Sequence, residues 1–184
     1  GWDKDRYYPG DYDGDGRDDL GYFETGDNTF HVSISTGSGF VGPGSGRWLS
    51  GWGTRDGRFY VGDYNGDGRD DLAHADPTAT VHFLTSTGRA LNTERGGGIW
   101  IPQGTFGWDI TQYHPADFNG DGTTDLGYYD PVNGNFYVNI STALPKHTVT
   151  TIGTSPFFDH GTGLWLSAWG HTGGRVYVTG SRHR

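Results

Sequence analysis

Short segments of alternating hydrophobic and polar residues recur along this chain, separated by turns rich in glycine and aspartate. The clearest alternation lies at residues 30–34, 81–84 and 136–140. Because successive side chains of a β-strand point to opposite faces, this alternation predicts strands that are buried on one face. Similar short runs, rather than helical patterns, flank the turns, so we expect an all-β fold.

Each alternating segment belongs to a larger unit of four predicted strands. The first strands lie at residues 6–9, 59–61 and 110–113, and the second strands at 20–23, 72–75 and 126–129. The third strands are the alternating segments, and the fourth strands carry a tryptophan in an apolar run at 47–49, 99–101 and 164–166. Four short antiparallel strands in a repeat of about 50 residues are the pattern of a β-propeller blade.

Internal repetition supports the same architecture. Residues 48–63 align without gaps on residues 165–180. The spacings from Trp2 to Trp52, to Trp108 and to Trp169 define units of 50, 56 and 61 residues. We therefore predict a single repeat array over residues 1–184, with about three blades and one extra strand. The predicted blades lie at about 2–51, 52–107 and 108–168, and the extra strand at 169–180.

Three nine-residue loops of one design connect the first and second strands, at residues 11–19, 63–71 and 117–125. Side-chain oxygens recur at loop positions 1, 3, 5 and 9, and the backbone carbonyl at position 7 completes a donor set suited to a hard divalent cation. Glycines at positions 4 and 6 allow the backbone to curl until these oxygens converge. The pattern predicts three Ca²⁺ ions per chain.

Two alternative interpretations of these loops are weaker. Solvated acidic turns would bring carboxylates together without a cation, and each carboxylate would raise the pKa of the others. An EF-hand requires a bidentate glutamate at position 12, where this chain has Tyr22, His74 and Tyr128. Helices should also flank an EF-hand, whereas short β-type runs flank these loops.

Composition and charge exclude several classes of function. The net charge is −9, and ten aspartates at ligand positions supply most of the acidity, so three bound Ca²⁺ ions would leave about −3. The 13 lysines and arginines are scattered singly, which argues against nucleic-acid binding. No apolar run is long enough to span a membrane. Cysteine is absent, and methionine is absent even at position 1, so we expect a processed or excised part of a longer product.

The motif Asp-x-(Asp/Asn)-Gly-Asp-Gly-x-x-Asp, followed by Leu-(Gly/Ala) once per unit, resembles the FG-GAP or VCBS repeat of integrin α-subunit propellers, secreted bacterial proteins and a fungal lectin. The resemblance implies a secreted, extracellular propeller in which calcium ties the loop between the first two strands of a blade. The implied ligands are Asp11, Asp13, Asp15, Arg17 (carbonyl) and Asp19; Asp63, Asn65, Asp67, Arg69 (carbonyl) and Asp71; and Asp117, Asn119, Asp121, Thr123 (carbonyl) and Asp125.

The fourth unit departs from this pattern. Gly180 stands where Asp63 begins the second loop, so we expect no fourth ion. Three blades are fewer than the four to eight that closed propellers use. Two explanations remain open: a symmetric assembly such as a homodimer that closes the ring, or excision from a longer propeller.

Candidate catalytic groups are few. The chain has two glutamates, and the aspartates outside the loops that could form a glycosidase-like pair are Asp76, Asp109, Asp130 and Asp159. Asp76 and Asp130 precede proline and are better interpreted as turn formers. The eight histidines show no recurring two-ligand spacing for zinc. We therefore predict a protein that is not an enzyme.

Aromatic residues are abundant and suggest a ligand surface. A tryptophan beside glycine begins each unit, and a second repeated position follows each calcium loop. An aromatic ring with polar neighbours suits a sugar, although the same rings could instead seal the groove between blades. The predicted ligand-binding residues are Trp2, Trp52, Trp108, Trp169, Tyr22, His74 and Tyr128.

Three functions follow from these patterns. The first is a calcium-stabilised, lectin-like propeller that binds a glycan or glycoprotein at repeated weak sites. The second is a protein-interaction propeller, because residues 92–107 and 143–163 differ between units in length and content. The third is an accessory domain of a secreted hydrolase.

Overall fold

The computed structural model describes residues 7–41, 46–92, 99–101, 107–141 and 163–166. These residues form antiparallel β-strands joined by turns, and the one helical segment among them is a short 3₁₀ helix at Ile110–Gln112. No helix in these ranges is both long and apolar enough to cross a membrane. The all-β prediction is confirmed.

The strands form three sheets that follow one another along the chain. Blade 1 contains β1 (Tyr7–Gly10), β2 (Asp19–Glu24), β3 (Thr29–Ser33) and β4 (Arg47–Leu49). Blade 2 contains β5 (Arg58–Gly62), β6 (Asp71–Ala75), β7 (Val81–Ser86), the short β8 (Leu91–Asn92) and β9 (Ile99–Ile101). Blade 3 contains β10 (Tyr113–Ala116), β11 (Asp125–Asp130), β12 (Asn135–Asn139) and β13 (Gly163–Leu166).

Strand register is the same in every blade. The residue before each loop pairs with position 9 of that loop, as Gly10 does with Asp19 and Gly62 with Asp71. The third strand pairs with the fourth strand in every sheet, and this pairing has a register shift at the equivalent position each time. The three sheets are therefore copies of one four-stranded blade, as the repeat predicts, and they do not close into a ring within the described residues.

Strand positions agree with the predicted segments at all but one place. The first strand of blade 3 was expected at residues 110–113, and this prediction is wrong. Asp109 instead caps the 3₁₀ helix by accepting the Thr111 N–H at 3.0 Å, and β10 begins at Tyr113. A side-chain cap of this kind favours a helical turn over an extended chain.

Two hydrophobic core clusters lie between the sheets, and a third is formed within blade 3 by Tyr129, Phe136 and Val138. The first junction is filled by aromatic rings of blades 1 and 2, with Phe23 and Phe59 at a centroid distance of 4.7 Å. The second junction contains Tyr64, Phe83 and Tyr113 from blades 2 and 3. The inner strands β1, β5 and β10 contact one another in turn, so the loops after them lie side by side. The predicted extra strand at 169–180 lies outside the described residues.

Candidate functional site

The first aspartate of each acidic loop organises the loop backbone. Asp11 accepts the N–H groups of Gly14, Asp15 and Gly16 at 2.8–3.0 Å, and the same three bonds recur in the second and third loops. Gly14 and Gly16 have φ values of +80° and +88°, a backbone region that favours glycine. The sequence pattern predicted the glycines, but it did not predict that position 1 holds the turn.

The last aspartate of each loop is buried and holds two backbone segments together. Asp19, Asp71 and Asp125 are at most 1% exposed. Asp19 accepts the N–H of Tyr12 at 3.1 Å and that of Ser35 at 2.8 Å, and Asp125 accepts the equivalent pair in blade 3. Position 9 therefore ties the start of the loop to the end of the third strand.

The acidic side chains of the first loop converge. Asp11, Asp13 and Asp15 each have a carboxylate oxygen, and these oxygens all lie within 4.8 Å of one another. In the other two loops position 3 is asparagine, and its amide donates to the position 5 carboxylate, as Asn65 does to Asp67 at 3.3 Å. The loops thus bring together the oxygen donors of positions 1, 3 and 5.

Position 7 contributes more than a carbonyl group to the first two loops. The Arg17 guanidinium pairs with the Asp15 carboxylate, and Arg69 pairs with Asp67 at 2.6 Å. In the third loop the Thr123 hydroxyl donates to Asp121 at 2.6 Å. Each position 5 carboxylate therefore has a polar partner from position 7.

The electrostatics of the loops fit a divalent cation. Burial raises the pKa of Asp19, Asp63 and Asp71, and it raises the pKa of Asp125 to about 6. The Asp71 Oδ2 atom is buried without a hydrogen-bond partner. An all-oxygen donor set with destabilised carboxylates is chemistry that suits Ca²⁺ or Mg²⁺.

Neighbouring loops are joined by hydrogen bonds across the blade junctions. The Asp70 N–H donates to the Asp11 carbonyl and the Thr124 N–H donates to the Asp63 carbonyl, each at 2.7 Å. The Asp70 carboxylate also accepts the Asp11 N–H at 2.7 Å. Position 8 of one loop thus holds position 1 of the preceding loop. The sequence alone did not indicate this role, although a polar residue occupies position 8 of every loop.

The predicted ligand-binding tryptophans have different environments. Trp52 is half-buried, with ring centroids 5.3 Å from His74 and 6.2 Å from Phe59. Trp108, at the same position of the next unit, is 79% exposed. Trp2 and Trp169 lie outside the described residues.

The second predicted aromatic position lies on the blade faces. Tyr22 is half-buried, whereas His74 and Tyr128 are only 2% and 3% exposed. His74 lies beneath Trp52, and Tyr128 belongs to the core cluster of the second junction. Their side chains therefore pack between blades and do not extend the exposed surface around Trp108.

A polar pair beside Trp52 was not predicted as part of a ligand surface. The rings of Trp52 and His82 meet edge to face at 6.5 Å, and His82 Nε2 lies 3.4 Å from the Asp76 carboxylate. Burial opposes ionisation of Asp76, but hydrogen bonds from Thr78 and Thr80 outweigh it and lower the pKa. Trp52, His82 and Asp76 thus place an aromatic ring near an ionised acceptor.

The aspartates weighed as catalytic groups have local structural roles. Asp76 accepts two backbone N–H groups of its own turn, Asp109 caps the 3₁₀ helix, and Asp130 accepts the Val132 N–H at 2.9 Å. Asp159 lies outside the described residues. The interpretation of Asp76 and Asp130 as turn formers agrees with these bonds.

Comparisons with known proteins agree with the repeat and the fold. Residues 11–74 match the family model described as an FG-GAP-like repeat. No curated protein matches the chain. A solved structure of an Agrocybe aegerita lectin, described by its specific recognition of non-reducing terminal N-acetylglucosamine, is similar to this chain with a TM-score of 0.58 at 22% identity. The alignment covers 84% of this chain and 40% of that lectin, so this chain spans less than half of the lectin's length.

Proposed function

We propose that this protein is a secreted, calcium-stabilised propeller that binds carbohydrate and is not an enzyme. The observation that carries the proposal is the repeated tryptophan at the start of each unit, which is 79% exposed at Trp108. A tryptophan recurs at this position of the sequence repeat, and at Trp108 most of the indole ring is open to a ligand. The apolar face of a sugar ring can stack on an indole, and its hydroxyls take hydrogen bonds from nearby polar groups.

The surroundings of Trp52 supply such polar groups. Asp76 offers a charged acceptor and His82 a ring nitrogen, and both side chains are partly exposed, at 21% and 27%. Charge-assisted hydrogen bonds to hydroxyls are stronger than neutral ones and give a sugar site its orientation. The similarity in fold to a lectin supports this choice of ligand class over a protein partner.

Calcium has a structural role in this proposal. The donors in each loop are positions 1, 3, 5 and 9 and the carbonyl of position 7, and a bound cation would neutralise the carboxylates that converge there. Burial raises the pKa of the position 9 aspartates because it disfavours their charged form, and a bound cation would offset that effect. A cation would therefore stabilise these loops, which hydrogen-bond to one another across the blade junctions.

A glycan array with the calcium-loaded protein tests the carbohydrate proposal. Glycans with non-reducing terminal N-acetylglucosamine are the first ligands to include, with terminal galactose and mannose as matched comparisons. We expect retention of a restricted set of terminal sugars and competition by the corresponding free sugar at millimolar concentration. If the folded, calcium-loaded protein binds none of the glycans, the proposal is contradicted. Capture of a glycan-free protein instead would favour the interaction-propeller alternative.

A further inference from the structure

The first and second acidic loops are joined by two hydrogen bonds between one residue of each loop. The Asp70 N–H donates to the Asp11 carbonyl, and the Asp70 carboxylate accepts the Asp11 N–H, each at 2.7 Å. Asp11 is a proposed calcium ligand and is only 7% exposed, whereas Asp70 occupies position 8 and is not among the proposed ligands. The backbone of one ligand in the first loop is therefore held by a residue of the second blade.

A buried serine forms a second connection between the same two loops. The Ser86 N–H donates to the Asp71 carboxylate, and the Ser86 hydroxyl donates to the Tyr12 carbonyl, each at 2.7 Å. Asp71 is the position 9 ligand of the second loop. Tyr12 lies between Asp11 and Asp13, the position 1 and position 3 ligands of the first loop. One side chain thus links a ligand of the second site to the backbone of the first site.

The backbones of these two loops also pack closely. A Cβ on Gly14 would lie 2.8 Å from Arg69 Cγ and 3.5 Å from the Gly68 carbonyl oxygen. Gly88, in the turn between β7 and β8, approaches the first loop as well, because a Cβ there would lie 3.6 Å from the Asp13 carbonyl oxygen. The first loop is therefore in contact with two segments of blade 2. Close packing transmits strain, so a change of shape in one loop acts on the other.

The second and third loops share most of this arrangement. The Thr124 N–H donates to the Asp63 carbonyl, and the Ser141 hydroxyl donates to the Tyr64 carbonyl, each at 2.7 Å. The Ser141 N–H also donates to the Asp125 carboxylate at 2.7 Å. Position 8 is threonine in the third loop, so it offers no carboxylate to the position 1 N–H of the preceding loop. The connection at this junction is therefore the weaker of the two.

These connections link the order of one loop to the order of the next. Ca²⁺ takes six to eight oxygen ligands, so its binding orders a whole loop. A loop whose neighbour is already ordered has less conformational entropy to lose when it binds its own ion. We propose that the three loops bind calcium cooperatively, with Asp70 and Ser86 as positioning residues that couple the first site to the second more strongly than the second is coupled to the third. This inference rests on the proposed calcium role, which the buried Asp71 Oδ2 atom without a hydrogen-bond partner supports.

Calcium titration calorimetry of variants with fewer sites tests the proposal. Asp121→Ala leaves the first and second sites, Asp15→Ala leaves the second and third, and pairs of position 5 substitutions, including Asp67→Ala, leave each site alone. The coupling factor of a pair is the product of its two stepwise association constants divided by the product of the two single-site constants. At 0.15 M salt, which screens exposed charges beyond about 8 Å, we expect a factor of about five or more for the first pair and a smaller factor for the second.

Substitutions of Asp70 in the protein that keeps the first and second sites test its positioning role. Asp70→Ala should lower the coupling factor to about that of the second and third sites. Asp70→Asn removes the same charge but keeps an acceptor oxygen for the Asp11 N–H, so it should retain more of the coupling. Asp56→Ala removes one charge from an exposed turn outside the loops and is the matched control, with no change expected. Ser86→Ala should also lower the factor, because it removes the second connection.

The possible outcomes separate this inference from the calcium role itself. Melting curves in calcium establish that each variant is folded, and Asp70→Thr, which copies position 8 of the third loop, replaces Asp70→Ala if that variant does not fold. A coupling factor of one or less for both pairs overturns the inference and leaves the calcium role intact. Equal factors for Asp70→Ala and Asp56→Ala overturn the positioning role of Asp70. A folded protein that binds no calcium contradicts the calcium role, and this inference with it.

Discussion

The indole ring of Trp52 lies over the imidazole of His74, with 5.3 Å between the ring centroids. His74 also contacts Phe59 at 4.8 Å, and its Nε2 accepts the Thr54 N–H at 3.2 Å. Burial among these rings, together with the nearby His82, lowers the pKa of His74 to about 4. The histidine is therefore neutral in the folded protein down to about pH 4.

This relationship predicts a pH dependence of stability. Above pH 6.5, His74 is neutral in both states, and its contribution to folding is complete. As the pH falls from 6.5 towards 4, the unfolded chain takes up a proton that the folded chain excludes, so stability falls by up to about 3 kcal/mol. His74→Gln keeps an acceptor for Thr54 and removes this titration. Urea unfolding of both proteins at several pH values should give curves that converge towards pH 4, whereas parallel curves would contradict the assignment.

Removal of calcium should lower stability. Extracellular sites of this type have dissociation constants of about 10⁻⁴ to 10⁻³ M. At ten times that concentration, each site would stabilise the fold by roughly 1.4 kcal/mol, or about 4 kcal/mol for three independent sites. Calorimetry should show a melting temperature many degrees lower in EDTA than in millimolar calcium. An unchanged melting curve, from protein without bound calcium, would refute the loop assignment.

Single-ligand variants test the position-by-position assignment. Asp67→Ala removes the position 5 carboxylate of the second loop, so calcium stoichiometry should fall from three ions to two. Asp56→Ala removes the same charge from an exposed turn outside the loops and is the matched control. Elemental analysis or native mass spectrometry provides the count. Four ions in the wild type would show that the fourth unit also binds metal.

The fold was largely predictable because the blades are built from local signals. Alternation located the third strands, and β2 shows the expected pattern in which every second residue is buried. In β6, by contrast, all five residues are buried, because blades 1 and 3 cover both faces of blade 2. Alternation within a strand cannot show that its outer face will also be covered. Residues such as His74 therefore looked like surface positions.

The loops were less predictable than the strands, although their ligand spacing was clear. A spacing rule identifies oxygen atoms, but it does not separate those that hold the backbone from those that face a cation. Asp11 bonds to three loop N–H groups, and Asp19 bonds to two N–H groups from different segments. The contact between Asp70 and Asp11 joins residues 59 apart, and no local pattern encodes a partner at that distance.

Trp108→Ala tests the proposed ligand surface with little cost to the fold. The side chain is 79% exposed, so its removal should change stability by less than about 0.5 kcal/mol. If the ring contacts a sugar, its loss should weaken binding at that site roughly tenfold. Isothermal titration with the best array ligand measures the effect, and Val132→Ala is an exposed control. Trp52→Ala should weaken binding and also reduce stability, because Trp52 packs on His74 and Phe59.

The hydrogen bonds between blades should contribute measurably to stability. Ser86 is 3% exposed, and its hydroxyl donates to the Tyr12 carbonyl at 2.7 Å, so Ser86→Ala leaves a buried carbonyl without its donor. The Ser86 N–H bond to Asp71 is retained in this variant. We expect a loss of about 1–3 kcal/mol in the free energy of unfolding, measured by denaturant titration.

Ser35→Ala makes the same change at the equivalent position of blade 1, which has no preceding blade among the described residues. Ser35→Ala should cost clearly less than Ser86→Ala, and equal losses would contradict the role assigned to this bond.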